Sequence, residues 1–229
     1  MEDAMHIVKS AETAASCSDF RDGRSVPIRI DRAQIVVVRH GQTQGHLDVK
    51  LNEVGRLQAH VVADRLSKEC EISAIYSSNL KYAIETAEFI AIACGGVEVI
   101  KDPALRDRNE GIRQGLKRSD AANVYPQAYE ACRSRRRDQK SRYELDQRLI
   151  CTTCLQNIDL KHIGEGVVMA THGSVLACLY RQARPNEGRS GPKIENASVS
   201  VFHFLGGDDW VIKSWVDINH LKHTEDKLY

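Results

Sequence analysis

Two histidine residues carry the strongest chemical signal in this sequence of 229 residues. His40 comes shortly after the apolar residues 35–38, His172 comes shortly after the apolar residues 167–170, and each is followed directly by a glycine. A short apolar run bounded by glycine is typical of a buried strand in a parallel sheet. Open α/β sheets bind ligands beyond the carboxyl ends of their strands. We therefore expect both imidazoles in one crevice, although about 130 residues separate them.

The residues around these histidines favour a phosphate site. Arg39 offers a planar pair of donors that matches phosphate or carboxylate, and Gly41 lets the backbone come close to a bound group. A helix expected after His172 would direct its first N–H groups at the crevice, where a protonated His172 would add positive charge. The imidazole of His40 is then free to attack phosphorus, without any metal.

A departing alkoxide needs a proton, and a carboxyl group is the natural donor. The segment 105–111 contains two candidates, Asp107 and Glu110. The alternative is that both are ordinary solvated carboxylates in a loop.

The alternation of strand and helix patterns predicts a three-layer α/β/α sandwich with a mostly parallel, mixed sheet. After the first strand, a helix is expected to begin at Asn52. A strand is expected at residues 72–76, followed by Ser77, Ser78 and Asn79 as the N-cap region of the next helix. Later elements are expected in the following ranges: a strand at 97–100, helices at 144–162 and 175–181, and a β-hairpin with strands at 199–204 and 210–216. We assign residues 1–33 to a flexible extension and residues 34–229 to one domain.

Composition narrows the remaining possibilities. Hydrophobic residues make up 42% of the chain and the net charge is +1, so no global field favours nucleic acid or an acidic membrane. No apolar run approaches the ~20 residues of a membrane span. The acidic start and the seven cysteines without framework spacing lead us to expect a cytoplasmic protein with free thiols.

Two further patterns have a chemical and a plain interpretation. Cys151 and Cys154 form a C-x-x-C pair, which is either a metal or redox site or simply two small residues on a helix. No second pair matches it, so we favour the helix and expect no metal or other cofactor. The basic residues 133–142 have no interleaved aromatic side chains, so we expect a solvated face and no nucleic-acid partner. The oligomeric state is not fixed by the sequence.

Five segments in order resemble the histidine phosphatase superfamily, in its phosphoglycerate-mutase-like branch. The resemblance extends from about residue 34 to about residue 216, and its segments are residues 38–43, 44–56, 75–87, 105–115 and 171–173. It implies that His40 is transiently phosphorylated, that Arg39 and His172 hold the phosphoryl group, and that Asp107 donates the proton. The implied substrate is a small-molecule phosphate ester, and no metal cofactor is implied. The residues expected to contact the substrate are Gly41, Thr43, Gln44, Gly45, Tyr82 and Gly173.

The sequence also departs from the family pattern. Gln44 and Gly45 follow Thr43 at once, so a segment with two phosphate-binding side chains is absent. Tyr82 stands where the family usually has arginine, and Asp107 stands where it usually has glutamate. A glycine-rich segment before the helix at 144 is replaced by residues 140–143, and compensation could come from the arginines at 106, 108 and 113. Two functions stay open: a weakened phosphatase, or an impaired pseudoenzyme of the same fold that acts as a binding or regulatory protein.

Overall fold

The computed structural model describes residues 32–44, 48–107, 139–184, 193–206 and 209–222. Within these ranges, six strands form one sheet. The strands are β1 (Gln34–Arg39), β2 (Ala74–Ser77), β3 (Val99–Lys101), β4 (Gly166–Thr171), β5 (Val199–Gly206) and β6 (Asp209–Asp217). The α-helices are α1 (Glu53–Glu69), α2 (Lys81–Ala93), α3 (Gln139–Lys161) and α4 (Gly173–Ala183), and short 3-10 helices occupy Pro103–Leu105 and Asn219–Leu221.

The sheet has the strand order β3-β2-β4-β1-β5-β6. Strands β3, β2, β4 and β1 are parallel to one another, and β5 pairs antiparallel with both β1 and β6. The two strands that precede the histidines therefore lie side by side at the centre of the sheet. The expected terminal hairpin is present as β5 and β6.

A buried core lies on each face of the sheet, which confirms the three-layer sandwich. On one face, Val37 and Met169 pack with residues of α3 and α4, such as Leu155 and Leu176. On the other face, apolar residues of β1, β2 and β4 pack with α1 and α2, for example Leu66. Alternate strand residues thus point to opposite faces, and both faces are covered, as expected for continuously apolar strands.

The helices begin at places that their caps explain. The Asn52 side chain accepts a hydrogen bond from the Gly55 N–H at 2.7 Å at the start of α1. The N-cap of α2 is Leu80, one residue after the expected cap region, and Ser78 Oγ accepts a hydrogen bond from the Leu80 N–H at 3.3 Å. In addition, the Lys81 N–H donates to Asp48 Oδ1 at 2.6 Å, so a distant loop residue also caps this helix.

Several boundaries differ from the sequence prediction. Helix α3 begins at residue 139 rather than 144, and α4 begins at Gly173 rather than 175. Ala33 is not part of a free extension, because its N–H donates to the buried carboxylate of Asp159 at 3.0 Å, and Arg32 pairs with the same carboxylate at 2.8 Å. Residues 1–31 lie outside the described part of the chain.

The C-x-x-C pair lies on a helix, as the plain interpretation predicts. Cys151 and Cys154 are buried on α3, and the Cys154 thiol donates to Asp102 Oδ2 at 3.3 Å. Within the described ranges, no three His, Cys, Asp or Glu side chains are grouped so that they could hold a metal ion. In the same ranges, no helix has the length and apolarity that crossing a membrane requires. Gly45, Glu110 and the basic residues 133–138 lie outside these ranges.

Candidate active site

The sheet brings His40 and His172 together, as predicted. Arg39 and Thr171 are register partners at the ends of β1 and β4, and each histidine is the next residue along its chain. The His40 N–H donates to the Thr171 carbonyl at 3.0 Å, and the two ring centroids are 5.3 Å apart. The chain leaves β1 toward α1 on one face and leaves β4 toward α4 on the other. A crevice between two such strands is where open α/β sheets bind ligands.

His40 is held as a neutral imidazole in a fixed tautomer. Its ring is 8% exposed, and Nδ1 is 2.7 Å from the Gly41 carbonyl oxygen. Since a carbonyl only accepts, Nδ1 carries the proton and Nε2 keeps its lone pair. Burial, followed by the neighbouring His172 and Arg39, lowers the pKa of His40 to about 3. At neutral pH, Nε2 is therefore able to act as a nucleophile.

His172 is fully buried at the N-cap of α4. Neither of its ring nitrogens has a hydrogen-bond partner among the described residues. Burial, followed by the charges of Arg39 and Arg106, lowers its pKa to about 3. The expected imidazolium is therefore a neutral ring at pH 7, which still offers one N–H donor.

Arg39 lies over the start of α4. Its Nη1 donates to the Ile194 carbonyl at 2.6 Å, whereas its buried Nε has no partner in the part of the chain that the structure describes. A Cβ placed on Gly173 would lie 3.6 Å from that Nε, so the guanidinium covers the first residue of the helix. Anions are favoured at such a helix start, because its N–H groups lack partners within the helix.

Tyr82 is part of the same cluster of rings. Its centroid lies 4.3 Å from that of His40 and 5.3 Å from that of His172, and it is 5% exposed. Burial, followed by the charges of Asp107 and Asp48, raises the pKa of its phenol. Where the resemblance would place an arginine, this chain thus places a neutral aromatic ring against both imidazoles.

Asp107 reaches the site from the loop after the first 3-10 helix. Its Oδ1 accepts a hydrogen bond of 2.5 Å from Ser174 Oγ on α4. The loop is fixed where the Thr171 hydroxyl donates to the Leu105 carbonyl at 2.8 Å. Burial lowers the pKa of Arg39, and Asp107 in its ionised form acts in the opposite direction. Asp107 therefore lies against the start of α4, near enough to His40 for its charge to act on that ring.

Gly41 is required for a reason that differs from the expected one. A Cβ at this position would lie 2.4 Å from the Gly55 carbonyl oxygen, so the glycine permits a close approach of two backbones. Its N–H donates to Thr86 Oγ1 at 3.1 Å, and the same hydroxyl donates to the Tyr82 carbonyl at 2.8 Å. Sequence reasoning missed Thr86, although a hydroxyl one turn after Tyr82 on the buried face of α2 was a usable signal.

The next residues of the loop lead away from the histidines. Thr43 pairs with Leu51 through an isolated antiparallel bridge. Gln44 is exposed and lines an open surface depression together with Asn52 and Arg56. Its expected contact with substrate stays a prediction, as does that of Gly45.

A second loop that sequence reasoning missed holds the backbone of the site. Asn196 Nδ2 donates to the His40 carbonyl at 3.0 Å, and the Ala197 N–H donates to the Arg39 carbonyl at 3.0 Å. Nothing in the sequence marks these two residues, because their role depends on a loop geometry that has no local pattern.

Together, these features define a class of site: a crevice at the ends of two parallel strands, lined by an arginine and two neutral histidines. Comparison with known proteins agrees. The sequence profile of the histidine phosphatase superfamily (branch 1) matches residues 35–218. Phosphoglycerate mutase-like protein 4 of Arabidopsis thaliana is 49% identical in an alignment of 209 residues that covers 85% of this chain and 90% of the relative. The metal-independent phosphoserine phosphatase of Arabidopsis thaliana is 39% identical in an alignment of 217 residues that covers 89% of each chain.

Structural comparison gives the same result. Bacillus stearothermophilus YhfR superposes with a TM-score of 0.72 at 25% identity, covering 83% of this chain and all of that structure. The chain belongs to the histidine phosphatase superfamily.

Proposed function

We propose that the protein hydrolyses a small-molecule phosphate monoester through a phosphohistidine formed on His40. One observation carries this proposal: Arg39 Nε and both ring nitrogens of His172 are buried without partners among the described residues. A buried polar group without a partner costs about 1–3 kcal/mol, so several of them together at the end of the central strands favour a site that a ligand completes. The oxygens of a phosphoryl group would accept from Arg39 Nε and from the N–H of His172.

The first chemical step uses the free nitrogen of His40. Nε2 attacks phosphorus while the ester P–O bond breaks, and the leaving oxygen takes the proton of the Asp107 carboxyl group. The hydrogen bond from Nδ1 to the Gly41 carbonyl stabilises the positive charge that develops on the ring. Arg39 and the start of α4 stabilise the charge on the phosphoryl oxygens.

The second step reverses these roles. The Asp107 carboxylate takes a proton from water, the water oxygen attacks phosphorus, and the P–Nε2 bond breaks. Inorganic phosphate leaves, and His40 and Asp107 return to their starting forms. The hydrogen bond from Ser174 to Asp107 keeps the carboxyl group above the crevice throughout.

The relatives support small phosphate esters as the substrate class. Their names include a phosphoserine phosphatase and a phosphoglycerate mutase-like protein. Phosphoserine, 3-phosphoglycerate and a generic aryl phosphate are therefore the first substrates to test.

The second candidate is an impaired protein of the same fold that binds a phosphate ester without turning it over. The neutral Tyr82 against both imidazoles favours it, because a hydrogen bond to a charged group contributes about 1.5–3 kcal/mol and a phenol contributes less. Such a protein would bind inorganic phosphate and would release none from an ester.

The test compares the wild type with His40→Asn. The asparagine amide keeps the donor to the Gly41 carbonyl but has no nucleophile in place of Nε2. We expect phosphate release from an aryl phosphate or phosphoserine by the wild type, and loss of at least about a hundredfold in the variant. Equal turnover by the two proteins would reject the proposal, and binding without turnover by both would favour the second candidate.

A further inference from the structure

The two residues that begin the site, Arg39 and His40, are held by one loop, residues 193–198, which we call the clamp loop. The clamp loop makes five hydrogen bonds to them. These are Arg39 Nη1 to Ile194 O (2.6 Å), Asn196 Nδ2 to His40 O (3.0 Å), Ala197 N to Arg39 O (3.0 Å), Ala197 N to His40 O (3.2 Å) and Arg39 N to Ser198 O (3.1 Å). The loop therefore fixes the guanidinium of Arg39 and the backbone that carries the nucleophile.

Ala197 is the centre of the clamp loop. It is fully buried, and its φ of 53° lies in the left-handed region, which residues other than glycine rarely adopt. Such a conformation persists only where the surroundings over-determine it. The N–H of Ala197 faces the site, and its carbonyl on the opposite side accepts a hydrogen bond from His220 Nε2 at 2.9 Å.

The tautomer of His220 is fixed by its other nitrogen. Nδ1 lies 3.0 Å from Arg65 Nη1, and because a guanidinium only donates, Nδ1 must accept. Nε2 therefore carries the proton that is given to Ala197. Arg65 is itself held by Asp217, whose Oδ2 lies 2.8 Å from Nη2. A continuous path thus runs from α1 and the end of β6, through His220, to the carbonyls of Arg39 and His40.

We propose that His220 is a positioning residue for the phosphoryl-transfer site. It fixes Ala197 in the left-handed conformation, and the clamp loop transmits that position to the nucleophile and to the guanidinium beside it. His220 does not contact the crevice itself: it bonds on the far side of Ala197. The expected change in kcat rests on the proposed function. The expected change in the position of His40 rests only on the hydrogen-bond path.

Two substitutions separate the halves of this path. In His220→Gln, the amide nitrogen can occupy the place of Nε2 and still donate to the Ala197 carbonyl. In His220→Asn, the shorter amide can occupy the place of Nδ1 and accept from Arg65, but it cannot reach Ala197. We expect kcat to fall about tenfold in His220→Asn, because small displacements of a reacting group have large effects on rate, and to return to within about threefold of wild type in His220→Gln.

His60→Asn supplies the matched control. It makes the same exchange on the exposed face of α1, away from the clamp loop, and we expect it to leave kcat unchanged. The thermal midpoint is measured for all three variants. If His220 only stabilises the fold, kcat should fall in each variant in proportion to the thermal midpoint. If it positions the site, His220→Gln should recover kcat even where it does not recover the thermal midpoint.

A second measurement does not need turnover. Two-bond ¹H–¹⁵N spectra of the imidazole groups report the Nδ1–H form of His40 directly. We expect the His40 signals of wild type and His220→Gln to coincide, and those of His220→Asn to shift or broaden.

The two readouts keep the proposals separate. A wild type without turnover, combined with a displaced His40 signal in His220→Asn, would reject the phosphatase and retain the clamp. An active wild type, combined with an unchanged kcat and an unchanged His40 signal in His220→Asn, would overturn the clamp and retain the phosphatase.

Discussion

Acidification should destabilise this protein through the two histidines of the crevice. The pKa values of His40 and His172 both fall to about 3 in the fold, from the ordinary value of 6.5. Between about pH 3 and pH 6.5, these two histidines are protonated in the unfolded chain and neutral in the folded chain. The unfolded state then binds more protons, so the free energy of unfolding falls as the pH falls from about 6.5 toward 3.

The size of the effect follows from the width of this interval. Each pKa unit corresponds to about 1.4 kcal/mol. Lowering the pH from 7 to 5 therefore lowers the free energy of unfolding by about 2 kcal/mol for each histidine. The two histidines together lower it by about 4 kcal/mol, which is a large share of the 5–15 kcal/mol that is the typical free energy of unfolding of a domain.

The assay is urea unfolding, followed by circular dichroism, at a series of pH values between about 5 and 7. His172→Asn removes one titrating ring, and it should reduce the slope of unfolding free energy against pH by up to about 1.4 kcal/mol per unit. Tyr82→Phe is the control, because the pKa of this phenol is raised and the group does not titrate in the interval. Its slope should equal that of the wild type.

A slope in His172→Asn that matches the wild type would refute this reasoning. It would mean that the pKa of His172 in the folded protein lies near its ordinary value, and that the assignment of a neutral ring at the start of α4 is wrong.

Three further substitutions test the packing around the nucleophile. Thr86→Val keeps the shape but leaves the Gly41 N–H without a partner, so it should lower the free energy of unfolding by about 2 kcal/mol in urea titrations, and more than Thr86→Ser does. Gly55→Ala places a Cβ 2.0 Å from the Gln42 carbonyl oxygen and should lower the thermal midpoint by several degrees, with a near-normal midpoint as the contrary result. Tyr82→Arg adds a guanidinium beside the two neutral rings and should tighten inorganic phosphate binding about tenfold or more by calorimetry. Unchanged or weaker binding would contradict the assigned position of Tyr82.

The central strands could be predicted from the sequence because their pattern is local. Apolar runs before His40 and His172 are long enough to identify buried strands, and a parallel sheet places the ends of such strands at one edge. The ring separation of 5.3 Å follows from that register. Tyr82 and Asp107 were singled out by the family resemblance, which fixed their positions along the chain, and their roles stay proposals.

The parts that could not be predicted depend on distant residues. Asp48 caps α2 from a loop more than thirty residues earlier, which the serines just before the helix could not indicate. The neutral state of His172 could not be predicted, because its pKa depends on burial, which the neighbouring residues in the sequence do not indicate. The clamp loop was missed because Ala197 has the left-handed conformation without being glycine, and so leaves no trace in the sequence.

The most direct test of the central claim is a search for phosphate on His40. The protein is mixed with an aryl phosphate, quenched in alkali to preserve phosphohistidine, digested and analysed by mass spectrometry. The proposed mechanism predicts an acid-labile phosphoryl group on the peptide that contains His40, and none in His40→Asn. Release of inorganic phosphate with no phosphoryl group on His40 at any reaction time, including under rapid quench, would contradict it.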